Sequence, residues 1–188
     1  YDYSQAGAYF ITICTKNRRH FLGEIKNNEM FLNETGKITN QLWFEIPGHF
    51  KFVELGEHIV MPNHIHGIII INKPKWVVPV EETGQALSLP HPEPSSFLPQ
   101  SQFQPPSKQP HFRFRNQGKN TISAMICSFK SATKRLTTSC NPEFNWQLRF
   151  HDHIIRSHDE FIRVSNYIVN NPAKWMDDKF NNNPQKIL

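Results

Sequence analysis

Val60-Met61-Pro62-Asn63-His64-Ile65-His66-Gly67-Ile68-Ile69-Ile70-Ile71 sets two imidazoles one residue apart at the start of an apolar strand. Side chains alternate between the two faces of an extended strand, so His64 and His66 project together while Ile65 points away. The four isoleucines beyond Gly67 show no alternation, which is the pattern of a strand covered on both faces. Two imidazoles on a rigid central element form a two-toothed clamp for a divalent metal, and at least a third ligand must come from elsewhere. His-x-His alone fits equally well a pair hydrogen-bonded near a strand end.

On the N-terminal side, Lys51 to Glu57 reads as a strand joined to the His-x-His strand through Met61-Pro62-Asn63, a link short enough to favour antiparallel pairing. Before it, Leu32, Ile38, Leu42, Trp43 and Ile46 recur near helical spacing from Asn33 onward, and Pro47-Gly48 is expected to stop that helix. Ala8 to Thr15 is dense in aromatic and β-branched residues and predicts a first, interior strand. It runs into Lys16-Asn17-Arg18-Arg19-His20, whose cations suit phosphate or a solvated turn.

On the C-terminal side the character of the chain changes. Residues 73–110 hold nine of the fourteen prolines with many Ser and Gln residues, and read as an irregular insertion in a single domain spanning 1–188. In His111-Phe112-Arg113-Phe114-Arg115 aromatics alternate with arginines, as in an edge strand or in a surface that stacks bases and holds phosphates. Asn120 to Thr138 predicts a helix with Ile122, Met125, Ile126, Phe129 and Leu136 on one stripe and Lys130, Lys134 and Arg135 off it. Trp146 to Arg156 predicts another strand. It carries a second pair, His151 and His153, read as strand-edge polar groups or outer support for the site. Ser157 and Glu160 have capping-box spacing, and the helix they open should run through Asn171 and end near Pro172. Tyr167 and Asn171, four apart, then share one helical face.

The 21 Lys and Arg against 16 Asp and Glu, with a pI near 9.2, suit a polyanionic partner. From His111 to Cys140 there are six cations (Arg113, Arg115, Lys119, Lys130, Lys134 and Arg135) and no acid, which fits a phosphate-contact surface or a solvated basic face. Cys14, Cys127 and Cys140 are far apart and odd in number, which argues against a disulfide framework or a zinc ribbon. No apolar run nears the roughly 20 residues that span a bilayer, and the first residues lack a signal-peptide pattern, so the expectation is a cytoplasmic protein with no membrane partner.

Taken together, Tyr9-Phe10-Ile11-Thr12-Ile13-Cys14-Thr15, Met61-Pro62-Asn63-His64-Ile65-His66-Gly67, Trp146-Gln147, His151-Asp152-His153-Ile154-Ile155-Arg156 and Tyr167-Ile168-Val169-Asn170-Asn171-Pro172 resemble the HUH single-tyrosine transposases, in their REP-associated tyrosine transposase branch. The resemblance covers most of the chain but not the Pro-rich insertion. It implies an α+β fold, a ferredoxin-like antiparallel sheet flanked by helices. It also implies a divalent ion, Mg²⁺ or Mn²⁺, held by His64, His66 and Asn171, with Tyr167 as nucleophile on single-stranded DNA at hairpin sites. Attack would give a 5′-phosphotyrosine link, and the general base is left open among Glu57, Asp152 and water. In that setting Arg18, Arg19, Arg113, Arg115, Lys119, Lys130, Lys134 and Arg135 are candidate DNA contacts. Monomer and homodimer both stay open.

Other classes fit less well. A histidine-triad nucleotide hydrolase would carry a third histidine where Ile68 stands, and a cupin would need more short strands in place of two convincing helices. A hairpin-DNA binder that keeps the fold without turnover would present the same residues.

Overall fold

The computed structural model describes residues 5–72 and 120–181. The insertion at 73–110, the candidate strand His111–Arg115 and the cations Arg113, Arg115 and Lys119 lie outside these residues. In chain order the described elements are β1 (Gly7–Cys14), a 3₁₀ turn (Lys16–Arg18), the hairpin β2 (Gly23–Lys26) and β3 (Glu29–Leu32), α1 (Glu34–Phe44), α2 (Ile46–His49), β4 (Val53–Met61), β5 (His64–Ile71), α3 (Ile122–Thr137), β6 (His151–Ile155), α4 (His158–Val169) and a 3₁₀ segment (Pro172–Asp177). β2 and β3 form a sheet of their own. The other four strands form one sheet in the order β4-β5-β1-β6, each neighbouring pair antiparallel. With α1 between β1 and β4 and α3 between β5 and β6, this is the split β-α-β-β-α-β arrangement of ferredoxin-like folds. The α+β expectation holds.

Strand parity sorts the chemistry. Tyr9, Ile11, Ile13, Ile65, Ile69 and Ile71 bury one face against Trp43, Met125, Ile126 and Phe129 of α1 and α3. Ala8, Phe10, Ile68, Ile70 and Ile155 turn to the opposite face, where Phe161, Val164 and Ile168 of α4 cover them. His64 and His66 share the parity of Ile68 and Ile70 and so fall on the α4 face. The unalternating isoleucines are therefore covered on both sides, as expected.

Gly67 lies opposite the indole of Trp43. A Cβ there would overlap the indole carbons, so the strand admits the ring only because position 67 has no side chain. Trp43 is fully buried, stacked on His58 and edge-on to Phe129, and has little room to retreat. Gly67→Ala should cost about 1–3 kcal/mol through overpacking. Thermal unfolding followed by circular dichroism should show a midpoint several degrees lower, with native helix content below it.

Several boundaries differ from the sequence reading. Pro47 does not end the helical region: it sits in the first turn of α2, where a missing N–H costs nothing. The buried face of α1 is Thr35, Gly36, Thr39 and Trp43; the Thr39 hydroxyl donates to the Thr35 carbonyl, and the Thr35 hydroxyl accepts from Asn141 Nδ2. β4 continues to Met61, leaving Pro62 and Asn63 as a two-residue hairpin turn. The strand expected over Trp146–Arg156 is split. Trp146 only bridges Thr15, and regular pairing with β1 spans Thr12↔His151 to Ala8↔Ile155. Ser157 caps α4 by accepting from the Glu160 N–H, while Glu160 reaches back one residue further than a capping box, to the Arg156 N–H and to His153. α4 stops at Val169, so Asn171 is the N-cap before the 3₁₀ segment instead of the close of the helix.

Candidate metal and nucleophile centre

His64 opens β5 opposite Cys14, and His66 lies opposite Thr12 on the central strand β1. Their rings are 4.5 Å apart between centroids, and both are almost wholly buried. The segment after α4 roofs them. Phe180 lies 4.7 Å from the His64 ring and 5.8 Å from that of His66, and Trp175 is tilted against His64 at 6.1 Å. Burial pushes both imidazoles down, His66 to about 3 with Lys179 adding to the effect, and His64 well below its ordinary value with His66, Arg18 and Lys179 adding. At neutral pH both rings are uncharged and offer lone pairs.

Outer bonds hold each ring. His66 Nδ1 bonds Thr12 Oγ1 at 2.8 Å, and His64 Nδ1 bonds Asn63 Oδ1 at 2.8 Å. That leaves Nε2 of both rings: His66 Nε2 meets the Tyr167 hydroxyl, and His64 Nε2 is buried with no hydrogen-bond partner among the described residues. Asp178 and Asn171 line one cavity with His66 and bring oxygen to it. A carboxylate oxygen of Asp178 falls with the two imidazole nitrogens into a group mutually within 4.8 Å. Asn171 is buried, and its Oδ1 has no hydrogen-bond partner among the described residues. Orphaned buried nitrogen and oxygen atoms beside a carboxylate, with outer groups orienting the rings, are a donor set that fits a divalent cation.

Tyr167 enters from the last turn of α4. Its hydroxyl lies 3.3 Å from His66 Nε2, and its ring stands edge-on to Phe10 at 6.1 Å. Burial pushes the phenol up, the Asp178 carboxylate pushes it further, and a hydrogen bond from the Asn171 side chain partly counters both. Alone, this hydroxyl stays protonated near neutrality. Tyr167, Asn171, Asp178 and Lys174 line a cavity of about 490 Å³ with Phe10, Thr12, His66, Asp177 and Lys179. A second cleft of about 380 Å³ shares Phe10, Thr12 and Lys179 with it and extends to His151 and His153 on β6, with Arg18 and Phe180 on its other side.

The fold thus brings together His64, His66, Tyr167 and Asn171. Of the candidate cations, Arg18 reaches the site: its guanidinium lies over Phe180 and donates to the Lys179 carbonyl at 3.1 Å. Arg19 instead pairs with Glu143 at 2.8 Å on the surface. Lys130 Nζ donates to the Gln147 and Leu148 carbonyls, and Lys134 Nζ to those of Pro142 and Phe144, so both ammonium groups hold the loop before β6. Arg135 is exposed beside them. Thr12, Asn63, Lys174, Asp178, Lys179 and Phe180 carry no function in the sequence reading. Asn63, next to His64 in a two-residue turn, was the one with a local signal, whereas Asp178 and Lys179 lie beyond Pro172 with no motif of their own.

No protein-family model matches the chain. A protein of Haemophilus influenzae (strain ATCC 51907 / DSM 11121 / KW20 / Rd), described as "Uncharacterized protein", is 32% identical over 180 residues, which cover 95% of this chain and 87% of that protein. The chain belongs to one family with it. The structure is similar to that of a REP-associated tyrosine transposase bound to a REP hairpin, with a TM-score of 0.54 and 17% identity over 98% of this chain and 78% of that one. The fold is that of the REP-associated tyrosine transposases, as the motifs imply. Among the described residues no helix is long and apolar enough to cross a membrane.

Proposed function

We propose that this protein is a metal-dependent single-strand DNA endonuclease and strand transferase acting at hairpin sites, with Tyr167 as its nucleophile. The observation that carries the reading is the 3.3 Å approach of the Tyr167 hydroxyl to His66 Nε2, which sets a phenol from α4 against an imidazole pair from β5. The fold shared with a transposase bound to a DNA hairpin supports the same substrate class.

His64 and His66 would hold a divalent ion, Mg²⁺ or Mn²⁺, with oxygen from Asn171 or Asp178. When bound, such an ion lowers the phenol's pKa and neutralises charge developing on phosphate oxygens. The Asn171 side chain aims the Tyr167 oxygen by its hydrogen bond, and the 3.3 Å approach to His66 Nε2 sets that oxygen beside the nitrogen that would hold the ion. Its attack forms a P–O bond to tyrosine and breaks the P–O3′ bond. The phenolic proton is released and the departing 3′ oxygen takes one up, leaving a 5′-phosphotyrosine and a 3′-hydroxyl. Attack by another 3′-hydroxyl reverses the step and rejoins strands. Arg18, Lys174 and Lys179 neutralise backbone phosphates along the two joined clefts, while Phe10 offers a ring to bases. Arg135, with Lys130 and Lys134 near it, adds positive charge on a separate face.

The test is a single-stranded oligonucleotide carrying a palindromic hairpin, incubated with the protein and Mn²⁺ and run on a denaturing gel. The expected result is a protein–DNA adduct that disappears with a chelator. Hairpin binding without any adduct, across oligonucleotides that vary the flanking sequence, would leave the non-catalytic binder instead.

A further inference from the structure

Asn63 is wholly buried in the turn between β4 and β5, and its one carboxamide bonds three parts of the chain. Nδ2 donates to the Arg18 carbonyl at 3.1 Å and to the Phe180 carbonyl at 2.7 Å, and Oδ1 faces His64 Nδ1 at 2.8 Å. The two backbone carbonyls can only accept, so the amide must turn its NH₂ toward them; the flipped amide would set its oxygen against two others. Oδ1 is thereby committed to His64. Since that oxygen has only lone pairs to offer, Nδ1 of the ring must carry the hydrogen. The remaining nitrogen, Nε2, is then bare; it is buried without a hydrogen-bond partner among the described residues, on a ring grouped with His66 and Asp178.

The bond to Phe180 has a second consequence. Phe180 N–H donates to Asp178 Oδ1 at 2.6 Å, so Asp178 and Phe180 form one tight turn after the 3₁₀ segment. Holding the Phe180 carbonyl therefore also holds the carboxylate two residues earlier. The Asn63 carbonyl is itself taken by the N–H and hydroxyl of Thr15 at the end of β1, which fixes the turn from behind.

We infer that Asn63 is a positioning residue that both selects the metal-binding tautomer of His64 and pins the turn carrying Asp178 beside it. The inference rests on reading His64 and His66 as a metal-holding pair, but not on DNA cleavage. It ties metal affinity at mid-chain to a turn more than a hundred residues later through a single side chain.

Two measurements on metal-free, folded protein without DNA test it. Long-range ¹H–¹⁵N correlation spectra of the histidine rings, with the His64 signals taken as those missing in His64→Gln, should show wild-type His64 protonated on Nδ1 and bare on Nε2. In Asn63→Ala that fixed tautomer should be lost, and calorimetric Mn²⁺ affinity should fall roughly 10–100-fold, the usual effect of losing an outer orienting group. Asn63→Asp keeps an oxygen facing the ring but has no N–H for the carbonyls. It should retain the Nδ1–H signature and still bind Mn²⁺ more weakly, and it carries the test if the alanine variant does not fold. Combining Asn63→Ala with Asp178→Asn should weaken Mn²⁺ binding by less than the product of the single effects, because part of the Asn63 effect runs through Asp178. A folded Asn63→Ala with the wild-type tautomer and affinity would overturn the tautomer role, and wild-type affinity in Asn63→Asp would overturn the pinning role. If these outcomes appear while no DNA adduct forms, Asn63 keeps its role and only the nuclease reading falls.

Discussion

Tyr167→Phe should form no covalent adduct with a cleavable hairpin oligonucleotide, a loss on the order of 10³-fold or more, while binding that oligonucleotide about as tightly as the wild type. Of the four tyrosines, Tyr167 is the described one that faces the imidazole pair. Tyr9 is fully buried on the opposite face of the sheet and gives its hydroxyl to the Gln5 carbonyl, while Tyr1 and Tyr3 lie outside the described residues. The substitution removes one oxygen and leaves the ring edge-on to Phe10. Tyr167 is 40% exposed, so losing its bonds to His66 and Asn171 should cost no more than about 0.5–1.5 kcal/mol. A denaturing gel, read beside a thermal melt, separates loss of the nucleophile from loss of fold. An adduct formed by the variant at the wild-type rate would move the nucleophile elsewhere and remove the role given to α4.

Much of this arrangement was legible in the sequence because it depends on local periodicity. His64 and His66 share a face by strand alternation, Ser157 marks where the last helix begins, and Tyr167 falls in its last turn, with Asn171 just past its end. What was not legible depends on chain segments meeting from far apart. Asp178 lies in a turn with no periodic signature and reaches the imidazoles because Phe180 and Trp175 pack over them and Asn63 holds the Phe180 carbonyl. Lys130 and Lys134 read as phosphate contacts or a solvated basic face on α3, yet their ammonium groups close over loop carbonyls that no helical wheel places nearby. Thr35 and Thr39 are polar by type and buried by position, each satisfied within the core, Thr39 through the carbonyl one turn back and Thr35 through Asn141. Of the stripe read there from Leu32, Ile38, Leu42, Trp43 and Ile46, Trp43 and Ile46 are buried and Leu32 and Leu42 pack half-buried against the core, while Thr35, Gly36 and Thr39 complete the buried face of α1.

The paired substitution His64→Ala with His66→Ala should abolish Mn²⁺-dependent cleavage, again by about 10³-fold or more, and leave hairpin binding within a few-fold of wild type. Binding should survive because the cations that line the two clefts, Arg18, Lys174 and Lys179, are untouched. Stability offers an independent reading. A site that binds the folded state alone raises stability by about 2.7 kcal/mol at a hundred times its dissociation constant, which for a chain of this size shifts the melting midpoint upward by roughly 5–10 °C. Wild type should show that rise with Mn²⁺ and the paired variant none. Each protein must be compared with its own metal-free melt, because truncating the rings acts in two directions. It removes the unpartnered His64 Nε2 from the interior, and it strands Asn63 Oδ1 and Thr12 Oγ1, each stranded group costing about 1–3 kcal/mol. If hairpin binding disappears together with cleavage in a variant that still melts cooperatively, the imidazoles are structural members of the DNA surface. If wild type itself shows no metal-dependent rise, the donor set of His64, His66, Asn171 and Asp178 holds no ion, and the phenol is left without the charge that would activate it.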